Sequence, residues 1–262
     1  MRFYRNGILL VSLMLLALGA LFVDKKMLAE KSWQSTHTPS LSLFIAPSAA
    51  LASEIANYYF NVEESGVYDL VKARKYFEKS LELNPEEPLA WYQLARIDFL
   101  EGKSGEALQK ANKQILLHGD TPQSVYYLRA LIYGYDKQFR EAELNFLLFL
   151  KWKPESWAAH NDLAWIYFQE GDFNSAERVA KEGLESNPQN AWLLNILGVS
   201  LLNEKRSSEA HDILVSAAAA AGKLSPLDWQ RAYPGNDPAA AAKALQEMQN
   251  TIAENLALTV RK

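Results

Sequence analysis

Apolar residues recur along this chain at helical spacing. In residues 157–170 Leu163, Ile166, Tyr167 and Phe168 share a face, and in 173–186 Ala176, Val179, Ala180 and Leu184 do the same, the rhythm of an amphipathic helix. Short turns carrying Asn, Gly, Asp and Pro separate such segments. Asn84-Pro85 and Asn187-Pro188 end helices, because the residue before a proline is pushed out of the α region. No stretch reads as a sheet strand. The pattern also returns on itself. Ala73, Ala107, Ala142, Ala176 and Ala210 fall at intervals of 34, 35, 34 and 34 residues, and Leu94, Leu128, Leu163 and Leu197 at 34, 35 and 34. A period near 34 is one helix-turn-helix unit, with a small residue where its two helices touch and a leucine where the pair is cored.

The span Trp157 to Asn190 carries Leu163-Ala164, an aromatic at Tyr167, Gly171-Asp172 in the inter-helix turn, Ala176, small Ala180 and Gly183, and Pro188 at the end of the second helix. It resembles the tetratricopeptide repeat (TPR). Neighbouring units keep the register less completely. Pro88 to Thr121 puts Asp98 at the usual aromatic position. Pro122 to Ser156 has Arg129 where a small residue is expected, and its extra residue is assigned to the turn around Asp136 to Gln138. The first unit, from about Ser48, has a long turn at Glu63 to Tyr68, and the last, from Ala191, lacks the terminal proline. Departures gather at the ends, where capping repeats belong. The resemblance implies an all-α, right-handed solenoid of about five helix-turn-helix repeats over residues 48–221.

Outside the repeats, Arg2 and Arg5 precede an uncharged, apolar run ending at Val23, after which come Asp24, Lys25 and Lys26. A bilayer crossing needs roughly 17 to 25 residues, so residues 1–30 are expected to be an uncleaved transmembrane anchor. The alternative is a signal peptide, with Ala17 and Gly19 at a weak cleavage site. The cations before the run favour a cytoplasmic N-terminus. The expected location is the inner (plasma) membrane, single-pass, with the repeats periplasmic or extracellular; after cleavage it would be the periplasm. Residues 31–47, rich in Ser and Thr with two prolines, read as a linker, or as a docking strand through Leu41, Leu43 and Ile45. In residues 222–262, Ser225-Pro226 with Asp228 and Asp237-Pro238 start two capping helices. The second carries an apolar stripe of Leu245, Met248, Ile252 and Leu256 fit to cover the last repeat.

Candidate chemistry is sparse. A net charge of -4 and pI near 5.7 argue against nucleic acid, which wants clustered cations. The chain has no cysteine, which removes disulfides, thiolate metal sites and a cysteine nucleophile. His37, His118, His160 and His211 are too scattered for a metal site. Gly102-Lys103-Ser104 lacks the earlier glycine of a phosphate loop, since Ile97 stands there. No enzyme, cofactor or metal is therefore expected.

By resemblance, the function is to hold another protein in a concave groove lined by first helices. Carried over residue by residue, the partner-binding positions are Tyr92, Arg96 and Phe99; Tyr126, Ala130 and Tyr133; Asn161, Trp165 and Phe168; and Asn195, Val199 and Leu202. Arg96 is the one basic candidate, which does not favour the clamp for acidic tails found in some members. The expected function is a membrane-anchored interaction scaffold for a protein or peptide, in a bacterial envelope complex. The alternative is a solenoid that binds a glycan or other polymer strand on its aromatic faces.

Overall fold

The computed structural model describes residues 24–260. They form fourteen α-helices and one 3-10 turn, and no strand occurs among the described residues. After α1 (Lys25–Thr36) and α2 (Pro39–Ile45) come five helix pairs: α3 (Ala49–Phe60) with α4 (Leu70–Leu83), α5 (Ala90–Leu100) with α6 (Ser104–His118), α7 (Ser124–Tyr135) with α8 (Phe139–Trp152), α9 (Trp157–Glu170) with α10 (Phe173–Ser186), and α11 (Ala191–Asn203) with α12 (Ser207–Ala221). The short α13 (Pro226–Ala232) and the long α14 (Ala241–Leu258) complete the chain.

Local chemistry sets the boundaries. The side chains of Ser48, Asp69, Ser156, Asp172 and Asn190 accept hydrogen bonds from first-turn amides, as N-caps do. Gly171, with φ 80°, closes α9 in a left-handed conformation that side chains resist. All five alanines of the ladder are fully buried, and they let paired helices approach. Gly198 serves the same end. A Cβ there would stand 2.5 Å from Leu214 Cγ of α12, closer than atoms pack. Each second helix packs on the next first helix, and the first helices α5, α7, α9 and α11 also touch one another, which puts them along one inner wall.

The register of the third repeat differs from the sequence reading. Buried positions Ala90, Ala95 and Ile97 of α5 correspond to Val125, Ala130 and Ile132 of α7, and then to Ala159, Ala164 and Ile166 of α9. The steps are 35 and then 34 residues. The extra residue therefore lies before α7, not in the turn around Asp136 to Gln138. Ala130 takes the small position that Arg129 seemed to violate, and Tyr133 takes the aromatic position of Tyr167. At the equivalent place in α5, Asp98 is buried between Arg74, at 2.7 Å, and Lys110. Two cations and fixed geometry compensate its desolvation.

Residues 31–47 are not a linker, nor is 41–45 a strand. Asp24 caps α1 by accepting from the Lys26 and Met27 amides. Ala29 and Trp33, one helical turn apart, are buried with Leu51 and Ile55 of α3. Trp33 and His37 both meet the Tyr58 ring, at 5.2 and 4.6 Å. The anchor run up to Val23 lies outside the described residues, and no described helix is long and apolar enough to cross a membrane.

At the other end, Ser225 and Asp228 form a reciprocal capping box on α13. Helix α14 lays Met248 and Ile252 against the last repeat, where Ile252 joins Ala217 and Ala221 of α12, and Leu245 of the same stripe is buried as well.

Candidate functional site: an aromatic groove along the first helices

The inner wall is built by α5, α7 and α9. Phe99, Tyr135 and Trp165 follow one another across three repeats, with ring centroids 5.5 and 5.8 Å apart. Gly134 makes this approach possible, because a Cβ there would stand 2.7 Å from Ile166 Cδ1. These rings, with Tyr92, Tyr127, Leu131, Asn161 and Asp162, line a cavity of about 750 Å³. A second hollow of about 500 Å³ continues past Trp165 and is lined by Phe168, Asn195, Val199 and Leu202, with Asn255 and Leu258 of α14.

Two charged side chains lie deep in this wall. Arg96 is pinned from several sides. Its Nη1 donates to Gln93 Oε1 at 2.7 Å and Asn61 Oδ1 at 3.0 Å, its Nη2 donates to the Pro234 carbonyl at 2.5 Å, and its guanidinium lies 4.6 Å over the Phe60 ring. Burial lowers its pKa from the usual value. Asp162 accepts from the Tyr127 hydroxyl and, at 3.0 Å, from Asn161 Nδ2. Burial pushes its carboxyl up to about 6, against the pull of those two donors. The Tyr127 hydroxyl is raised in turn, by burial first and by Asp162 second.

The structure places the sequence-derived candidates unevenly. Tyr92, Arg96, Asn161 and Trp165 line the larger cavity, and Asn195 lines the smaller one while accepting from Asn255 Nδ2 at 3.0 Å. Tyr126 and Tyr133 line neither cavity. Tyr126 packs between the repeats and donates to Asp120 Oδ1 at 2.5 Å, and Tyr133 packs in the core beside Arg129. The one-residue offset explains both. The groove positions of the third repeat are Tyr127, Leu131 and Gly134, each 35 residues beyond Tyr92, Arg96 and Phe99. Tyr135 and Asp162, the neighbours of groove positions, were missed as well; the buried small residue Ala130 was the signal that would have set the register.

The model of the tetratricopeptide repeat matches residues 70–124, 127–191 and 161–226, more than half of the chain, and the chain belongs to that family. No curated protein matches it. Among solved structures it is similar to PilW, described as a widely conserved type IV pilus biogenesis factor (17% identity, TM-score 0.59, 81% of this chain and 98% of that one). Pseudomonas aeruginosa PilF is also similar (16%, 0.58, 79% and 90%). So is YrrB, described as a TPR protein with an unusual peptide-binding site (17%, 0.55, 79% and 98%). At such identities the likeness is one of fold.

Proposed function

We propose that this protein is a membrane-anchored interaction scaffold that holds a segment of a partner protein in the groove along its first helices, within a complex of the bacterial envelope. The observation that carries the reading is the aromatic file Phe99, Tyr135 and Trp165 beside the cavity of about 750 Å³. Aromatic rings give large contact area for little lost side-chain freedom, which makes them the usual anchors of a binding surface. Nothing in the reading requires catalysis. PilW, described as a pilus biogenesis factor, and YrrB, described as a TPR protein with a peptide-binding site, are consistent with it, but those descriptions belong to those proteins.

The test is capture from solubilised envelopes by the full chain, beside Trp165→Ala and Tyr135→Ala variants that melt like the parent. Truncating an anchor costs about 2 kcal/mol or more, roughly thirtyfold in affinity. Loss of the same partners from both variants is expected, with little weakening as salt rises, because the file carries no charge. Unchanged capture would overturn the reading, and binding of polysaccharide with no protein captured would replace it with the strand-binding alternative.

A further inference from the structure

The groove already holds a piece of the chain. Between α13 and the 3-10 turn, Tyr233-Pro234-Gly235-Asn236 crosses from the last repeat to the first two. It has Pro at the second position, Gly at the third with φ 92°, and the Asn236 amide donating to the Tyr233 carbonyl, the signature of a type II turn. The Tyr233 ring packs on Trp229 at 4.5 Å and on Trp192 at 6.2 Å. The next two carbonyls each receive a donor from the wall, Pro234 from Arg96 at 2.5 Å and Gly235 from the Tyr68 hydroxyl at 2.7 Å. Gly235 is buried so tightly that a Cβ would stand 2.6 Å from Arg96 Nη2 and 3.0 Å from the Phe60 ring. Aromatic ring, turn, two consecutive carbonyls and a glycine slot make up a ligand's worth of recognition.

Apart from Trp229, which packs on Trp192 at 6.1 Å, and Gln230, which donates to the Pro238 carbonyl at 3.2 Å, the segment that carries this turn is held at the surface. Helix α13 buries no residue, and Arg231 pairs with Glu63 across an exposed 3.3 Å contact, a kind of ion pair worth little. Few buried contacts mean cheap local opening. Nor does the turn fill the space around it, since Tyr233, Pro234 and Asn236 form one side of the cavity of about 750 Å³.

We infer that the groove between Arg96 and Asp162 recognises an aromatic-Pro-Gly turn, that Tyr233–Gly235 is the chain's own copy of that ligand, and that a partner segment of the same kind binds by displacing it. This rests on the groove reading above. Because the internal copy is tethered, its effective concentration is of millimolar order, so it suppresses weak partners and admits those that bind better.

The probe is a fluorescent peptide of residues Trp229–Asp237, titrated into the full chain in detergent. Gly235→Val places a branched side chain at the slot, and Tyr233→Ala removes the ring; both alter the internal copy and leave the wall intact. Both variants are expected to melt like the parent, to exchange amide hydrogens over 226–237 at least tenfold faster, and to bind the peptide at least tenfold more tightly. Adding Tyr68→Phe to either opened chain should weaken the peptide about threefold, one hydrogen bond's net worth. Equal peptide binding by parent and opened chains, or none by either opened chain, overturns the inference, as does indifference to Tyr68→Phe. Partner capture that depends on Trp165 while the peptide fails would sink this inference alone. Peptide binding with capture indifferent to Trp165 would sink the groove reading instead.

Discussion

Asp162 is the carboxylate whose protonation the groove shifts. Its carboxyl titrates near 3.8 when exposed and near 6 in the folded chain, because burial penalises the charged form more than Tyr127 and Asn161 repay. Between those values the native state holds the extra proton, so stability falls as pH rises through about 4 to 6, and the native state carries the whole cost above that window. In a sealed interior such a displacement corresponds to about 3 kcal/mol. Asp162 faces a cavity large enough for water, so about 1 kcal/mol is the expected size. Asp162→Asn keeps the shape, and the Tyr127 hydroxyl can turn from donor to acceptor. The variant should therefore match the parent near pH 4 and melt higher at pH 7.5. A melting difference that is flat from pH 4 to 7.5 would contradict the burial argument.

At the scale of elements, α1 and α2 behave as a cap on the first repeat. In a solenoid each unit leans on its neighbours, so damage at one end should stay there. Trp33→Ala removes a ring that is 3% exposed and should cost about 3 kcal/mol locally. Hydrogen exchange is expected to accelerate over residues 25–60 while residues 157–221 keep their protection; equal acceleration in both would show one cooperative unit instead. These helices were hidden in the sequence by their brevity. Their buried face reduces to Ala29, Trp33 and Ser42, with Leu43 and Ile45 partly covered, too few for a period to emerge from a Ser- and Thr-rich background. The Asp24 cap and the Ala29/Trp33 spacing were the legible signs. The five pairs were readable because fully buried alanines recur once per repeat, and packing allows nothing larger where helices touch. The leucine ladder misled in one place. Leu128 is buried, although it sits one residue before the position equivalent to Leu94, now held by Arg129. An apolar side chain buried from either of two adjacent positions cannot report a one-residue rotation, so Tyr126 and Tyr133 were read into the groove in place of Tyr127 and Gly134. The turn in the groove was beyond reach for a different reason. Arg96 and Pro234 lie 138 residues apart, and no local pattern encodes such a contact.

At the scale of the whole molecule, helices outside the repeats cover both ends of the solenoid. At the C-terminal end α14 covers the last repeat with a buried Ile252, as a terminal cap should, and leaves Leu258 and Val260 exposed. The N-terminal end leaves Met27, Leu28, Leu41 and Phe44 exposed, Phe44 to 85%, within about twenty residues of the apolar run that ends at Val23. Under the anchor proposal these side chains would lie beside a lipid surface. The proposed anchor accounts for both features: cations flank the run, and α1 begins immediately after it at the Asp24 cap. The full chain is expected to stay with membranes in alkaline carbonate, whereas a chain starting at Asp24 should be released from them while remaining helical. Protease added after the outer envelope is opened should digest the repeats, because in the proposed topology the cations ahead of the run keep the N-terminus in the cytoplasm. A shortened, soluble protein whose N-terminus lies near Ala20 would replace the anchor with a cleaved signal peptide. Full protection from protease would place the groove, and any partner it holds, on the cytoplasmic side.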